Sequence, residues 1–324
     1  MDILLNQRIQ KSQYIYTYAY NSEDAPLCHM EMRALFDTHT QGKILKTDVD
    51  FDPGRSPFIK EHIEVLFEGN DLQDLYSQLH LINLQDETFK VLFVKINDQT
   101  GPDKVEYDEK RQIERDTGMH ITGQLDMRDP DIIFGLVPYE GRWYLGIYKK
   151  AESVWLKHVK KPREYSTALS TRTARAIANI AVPEPAGKKA IDPCCGIGTV
   201  LVEALSMGIN IDGRDINPLV VQGSRENIQH FGLTGNVTLG AIADVQEHYD
   251  ATIIDLPYNL YTNATPEDQL VILKHARHFT KKLVVVTIEN IDHMITQAGF
   301  TVKDRCIAKK GKASAFSREI LVCE

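Results

Sequence analysis

Two short stretches about sixty residues apart constrain this chain most: KKAIDPCCGIGT at 188–199 and TIIDLPYNLY at 252–261. The first reads as a buried strand (Ala190, Ile191) entering a turn, Asp192-Pro193-Cys194-Cys195-Gly196-Ile197-Gly198, with a helix opening at Thr199. Glycines between strand and helix let backbone N–H groups and the positive helix end face a ligand with no Cβ in the way. Open α/β sheets hold nucleotide-like cofactors in this manner, at the carboxyl ends of their strands. The alternative is a purely structural turn of an ordinary α/β domain.

A dinucleotide fingerprint needs a third glycine, and Leu201 stands in its place. Asp192 would repel a pyrophosphate, whereas it attracts an ammonium. The pattern therefore points to a cofactor with a cationic amino-acid tail and no phosphate, of which S-adenosylmethionine is the common case. Asp215 ends the next predicted strand, about 20 residues beyond the glycines, where a carboxylate can accept from a ribose diol. Its alternative role is to cap the helix that begins at Pro218. Asp244, expected at the end of the third strand, is a candidate acceptor for an adenine amine or a plain turn aspartate.

The second stretch places Asp255, Leu256, Pro257 and Tyr258 at the end of another buried strand. An amine conjugated to a ring is a poor nucleophile, because its lone pair is delocalised. Two acceptors on its hydrogens, the Asp255 carboxylate and the Leu256 carbonyl, would draw the nitrogen towards a tetrahedral shape and aim the lone pair at a methyl donor. Pro257 fixes φ, and Tyr258 offers a ring for a base to stack on, an interaction worth about 1–3 kcal/mol. Alignment and electrostatics supply the rate without a metal or a covalent intermediate. Cys194 and Cys195 have no histidine nearby in sequence and read as small packed thiols; His275 and His278 read as surface residues.

The chain has 324 residues, long enough for two domains, with 43% hydrophobic and 25% charged residues, as in soluble globular proteins. No run approaches the ~18 apolar residues of a membrane span. Five cysteines without a C-x-x-C pair argue against a disulfide framework or zinc ribbon, so a reduced, cytoplasmic protein is expected. Net charge is −8, but unevenly spread: residues 1–150 hold 26 acids and 17 bases, the remainder 19 and 20. Bases cluster at 157–175 and 309–318, and local patches govern phosphate contacts more than totals do.

Along the chain, QYIYTYAY predicts a strand and SEDAPLCHMEMRALF a capped helix. A strand–helix pair follows in 57–79, a strand at 89–96, a charged helix ending at Gly118, and two strands joined at Glu140-Gly141. Nothing before residue 150 carries a cofactor turn or a clustered acid, His or Cys site. After a basic linker at 151–170, a helix through Ala181 precedes repeated strand–helix units, closed by two strands at 300–308 and 317–323 without a helix between them. The fold class is α/β: a mostly parallel seven-stranded Rossmann-like sheet over 171–324 with its last strand antiparallel, and an α+β region in 1–150.

At DPCCGIGT, GRDINP and DLPYNLY the chain resembles the class I S-adenosylmethionine-dependent amino-methyltransferases, and most of all the tRNA guanine-N2 methyltransferases with an N-terminal ferredoxin-like plus THUMP region. The likeness covers 171–324; in the N-terminal half it rests on YIYTYAY, LCHMEMRALF and DPDIIFGLV. It implies that Asp192, Pro193, Cys195, Gly196, Gly198 and Thr199 form the cofactor loop, Asp215 with Ile216 the ribose side, and Asp244 the adenine side. Asp255, Leu256, Pro257 and Tyr258 match the D-P-P-Y turn, with leucine at 256 where that branch usually has proline. The implied partner is tRNA or another structured RNA, with no membrane and no metal, in a monomer or homodimer with or without a small activator subunit. Adenine N6 in RNA or DNA, and a catalytically silent RNA-binding module, are the alternatives.

Overall fold

The computed structural model describes residues 12–39, 42–96, 105–166, 168–257, 264–309 and 317–324. The chain divides into two compact units, one of 1–19, 40–54 and 58–152, the other of 20–39, 55–57 and 153–324. The second unit thus takes in two segments that precede residue 150.

The elements up to that point are β1 (Tyr14–Tyr18), α1 (Ala25–Phe36), β2 (Ile44–Thr47), β3 (Ile59–Gly69), α2 (Leu72–Leu79), β4 (Asn83–Phe93), α3 (Tyr107–Met119), β5 (Thr122–Leu125), β6 (Ile132–Tyr139) and β7 (Arg142–Lys150). All of them except α1 belong to the first unit, whose mixed sheet runs β2-β1-β3-β7-β6-β4-β5. Strand β4 is parallel to β5 and β6, and the other pairs are antiparallel. The sheet separates two apolar clusters, one with Leu75, Leu79, Phe89 and Phe134, the other with Ile15, Ile63, Val137 and Tyr144. Glu140 and Gly141 both take positive φ (51° and 72°), the tight hairpin that their sequence announces. Strands β2 and β5 are four residues each, ILKT and TGQL, too short to show an alternating pattern, so the sequence does not reveal them.

The second unit continues with α4 (Thr171–Ala181), β8 (Lys189–Asp192), α5 (Thr199–Ser206), β9 (Asn210–Asp215), α6 (Pro218–His230), β10 (Asn236–Leu239), β11 (Tyr249–Asp255), α7 (Pro266–Phe279), β12 (Thr280–Thr287), α8 (Asp292–Gln297), β13 (Val302–Lys309) and β14 (Ser317–Cys323). Local chemistry sets several starts. Ser170 accepts from Thr173 N ahead of α4, Asn217 from Leu219 N ahead of α6, and Thr265 forms a capping box with Asp268 ahead of α7. The sheet order is β10-β9-β8-β11-β12-β14-β13. The first five strands are parallel; β14 is antiparallel to both its neighbours and lies between β12 and β13. Strand β10 ends at Leu239, short of the expected 242, because Gly240 turns the backbone to φ 154° and a 3-10 turn follows at Ile242–Asp244. Among the described residues no helix is long and apolar enough to cross a membrane.

Helices α1, α4 and α5 are joined by buried polar contacts. Arg175 Nη1 donates to Glu203 Oε2 at 2.8 Å, and His158 Nδ1 lies 2.7 Å from the other Glu203 oxygen. Nearby, Ser56 Oγ and Asn179 Nδ2 donate to the two oxygens of Glu31, whose pKa burial pushes up to about 7 against these bonds. Arg175→Leu would leave the Glu203 charge buried beside a lone histidine. It is expected to cost about 3–5 kcal/mol of stability, read from the denaturant midpoint, since breaking one side of a buried pair strands the other charge.

Candidate active site

The sheet order reverses between β8 and β11, and an open parallel sheet has its ligand crevice at such a point, beyond the strands' carboxyl ends. Asp192 closes β8 and Asp255 closes β11, with Ile191 opposite Thr252 in the ladder. Asp215 closes β9 on the other flank of β8. Burial holds Asp192 well above the carboxylate range, and the charges of Asp215 and Asp255 add to this. Burial likewise pushes Asp255 up to about 7, opposed by the Arg318 guanidinium. Asp255 Oδ1 is buried and has no hydrogen-bond partner among the described residues. Tyr258 lies outside the described residues, as does most of the basic stretch expected at 309–318.

The loop between β8 and α5 spends its N–H groups inwardly. Cys194 N donates to Asp192 Oδ1 (3.2 Å), Cys195 N to Arg214 O (3.0 Å), Gly196 N to Asp215 Oδ2 (2.9 Å) and Gly198 N to Cys195 O (2.9 Å). These four groups therefore do not face a ligand, as the glycine pattern alone had implied, and the loop offers no anion cradle from them. Gly196 (φ 52°) and Gly198 (φ 75°) take left-handed conformations. A Cβ at 198 would run into Ser224 Oγ, whereas nothing lies within 4 Å of one at 196. Pro193 and Thr199 are buried, the Thr199 hydroxyl without a partner among the described residues. Burial, and then Asp192 and Asp215, push the thiols of Cys194 and Cys195 up, which rules against thiolate nucleophiles.

On the far side, Asp215 Oδ1 accepts from Asn217 N (2.9 Å), so this acid both holds the glycine loop and caps the turn into α6. Ile216 beside it is 74% exposed. Asp244 sits in the 3-10 turn after β10, its side chain 62% exposed, bound to Arg214 Nη2 (3.2 Å) and Ala241 N (3.1 Å). Asp192, Asp215 and Asp255 converge; the positioning of Asp244 rests on Arg214.

Three contacts escape a reading of the sequence. Asn227 of α6 donates to Ile197 O at 2.9 Å and so pins the loop from below. Arg318, on β14, lies near Asp255 because β14 inserts beside β12. Gln269 of α7 donates to Pro257 O at 2.8 Å. An asparagine and a glutamine on the inward faces of amphipathic helices are the only hint, since an amide there must find a partner. Beside the loop lies a cavity of about 560 Å³ whose wall includes Trp155, Lys161, Tyr165, Arg172, Ile197 and Arg318.

Residues 159–289 match the RMKL-like methyltransferase domain. The match spans α4 to β12, with the glycine loop and the Asp255 turn inside it. The chain is 28% identical over 206 residues to the tRNA (guanine(10)-N2)-dimethyltransferase of Methanothermobacter thermautotrophicus, covering 61% of this chain and 60% of that protein. It is 29% identical over 170 residues to the enzyme of the same name from Pyrococcus abyssi, covering 49% and 50%. The chain thus spans three fifths and half the length of these curated relatives. Among solved structures it is similar to TrmN from Thermus thermophilus, at 13% identity and a TM-score of 0.47, over 96% of this chain and 99% of that one.

In the stretch that matches this domain, Gly198→Ala is expected to weaken binding of S-adenosylhomocysteine about tenfold or more by calorimetric titration, because the methyl group meets Ser224 and a positive φ costs a non-glycine residue roughly 1–3 kcal/mol.

Proposed function

We propose that the chain is an S-adenosylmethionine-dependent methyltransferase acting on an exocyclic base amine, guanine N2 of tRNA. The observation that carries this reading is the Asp255 carboxyl, at the switch point of the sheet, with a buried oxygen that lacks a donor among the described residues. The domain match and the two relatives named as tRNA guanine-N2 enzymes support it.

The residues fit the cofactor. A buried Asp192 facing the charges of Asp215 and Asp255 favours a cationic ligand, and a loop whose described N–H bonds turn inward disfavours a pyrophosphate. Asp192 would hold the ammonium end and Asp215, with Ile216 beside it, the ribose side. When bound, the cofactor supplies an electrophilic methyl carbon on a sulfonium. Asp255 accepts one hydrogen of the substrate amine and the Leu256 carbonyl the other, which localises the nitrogen lone pair. A carboxylate with a pKa about 7 can take the proton released from the methylated nitrogen and pass it to water at neutral pH. Tyr258 is assigned the stacking role and Asp244 the adenine side. The N-terminal 1–150 region, apart from the segments 20–39 and 55–57 that belong to the second unit, is assigned RNA binding as a ferredoxin-like plus THUMP-like region, on its resemblance alone; 151–170, expected as a linker, falls in the second unit from 153 on.

Incubation with labelled methyl donor and total tRNA, followed by nucleoside analysis, is expected to place label in N2-methylguanosine. Label in methyladenosine would replace the base assignment, and unlabelled tRNA would overturn the reading. Asp255→Asn should retain cofactor binding while lowering kcat about 10²-fold, the scale of losing one preorganised electrostatic contact.

The pH dependence has a defined sign. Asp255 is protonated below its raised pKa, so kcat should climb as pH rises through about 7 and level off above it. Its ordinary value is 3.8, so the folded state binds a proton that the unfolded state has lost between 3.8 and about 7. Stability of the cofactor-free protein therefore falls as pH rises through that window. Asp255→Asn should remove this part of the fall, so it gains stability over wild type at pH 8 relative to pH 4 in denaturant titrations.

A further inference from the structure

The turn after β11 has one proline, not two. A proline at 256 would fix φ and remove a donor; leucine leaves φ free and keeps the N–H. That N–H donates to Val286 O at 3.0 Å, which extends the β11–β12 ladder one residue beyond Asp255. The Leu256 side chain is buried with Leu273, Leu283 and Val285, so it cannot swing out without opening the core. On the other side of the turn, Gln269 Nε2 donates to Pro257 O at 2.8 Å.

Gln269 is 4% exposed and shares its helix face with the buried Leu273 and Ala276, four and seven residues on. A carbonyl only accepts, so the NH2 end of the amide must be the end that meets Pro257. The helix that carries it is firmly started: Pro266 occupies its first turn, Thr265 and Asp268 cap it, and Gln269 N itself bonds to Thr265 O at 3.1 Å. The amide thus ties the Pro257 carbonyl to a rigid element, while the ladder bond ties Leu256 to the sheet.

We propose that Gln269 is a positioning residue for methyl transfer: its hydrogen bond to Pro257 O, with the Leu256–Val286 bond, holds the turn so that the Asp255 carboxylate and the Leu256 carbonyl meet the two hydrogens of the substrate amine. Two fixed acceptors need a fixed angle between them. A turn free to rotate at 256 would keep cofactor binding, which depends on 192–215, and lose alignment. This inference rests on the methyl-transfer reading.

Gln269→Leu matches the side-chain volume and lacks the donor; Gln269→Ala only removes atoms and repeats the comparison without apolar bulk. Amide hydrogen exchange at Leu256 in the presence of S-adenosylhomocysteine should quicken about tenfold or more in both variants, as the turn opens locally. With tRNA, kcat should fall about tenfold or more while KM for the cofactor stays within about twofold, since misplaced reacting groups cost rate before they cost binding. Unchanged exchange at Leu256, or cofactor affinity falling in step with kcat, would overturn the proposal. The exchange measurement needs no methyl acceptor, so it judges Gln269 even if wild-type protein leaves tRNA unlabelled and the functional reading fails.

Discussion

Three carboxyl groups brought together at the ends of adjacent parallel strands dominate the second unit. Asp192, Asp215 and Asp255 stand on β8, β9 and β11, and the charges of the other two add to burial in holding Asp192 well above the carboxylate range. Such an arrangement is costly without a cation or a set of donors to face it. The fold's internal relief is uneven: backbone N–H groups reach Asp192 and Asp215, while Asp255 Oδ1 has no partner among the described residues. A positively charged ligand and an N–H donor would relieve these groups, and the proposed methyl transfer to an amine brings both.

The scaffold around this centre is built to keep it still. The glycine loop is tied from within by its own N–H groups and from below by Asn227. Helix α5, which leaves the loop, is anchored through Glu203 to Arg175 of α4 and to His158. Helix α1 joins the same buried network through Glu31 and Asn179, though it comes from a part of the chain far earlier in sequence. These contacts are charge-assisted and buried, so each depends on its partner being present.

Much of the second unit was legible from residue pattern. Helices α4, α6 and α7 and strand β14 occupy the residues their caps, prolines and apolar spacing indicate, because those signals are local and physical. The glycine loop and the Asp255 turn stood out for the same reason: each is a strand that ends in residues with special backbone or charge requirements. Less legible was Asp244, read as the end of a strand. Gly240 stops β10 earlier, and Asp244 is positioned by Arg214, a pairing across 30 residues that no local pattern announces. In the first unit, β2 and β5 carry no alternation and exist only because neighbouring strands supply their hydrogen bonds.

By itself, the sequence determined the alternation of strands and helices, the acids at the strand ends and the glycines that let the loop turn, since each follows from backbone and charge preferences of neighbouring residues. Only the tertiary structure decided that the loop's N–H groups point inward, that β14 slips between β12 and β13 to set Arg318 beside Asp255, and that Gln269 reaches Pro257. Those outcomes depend on which surfaces meet when the sheet closes and the helices pack, and side chains distant along the chain have no way to signal that encounter beforehand.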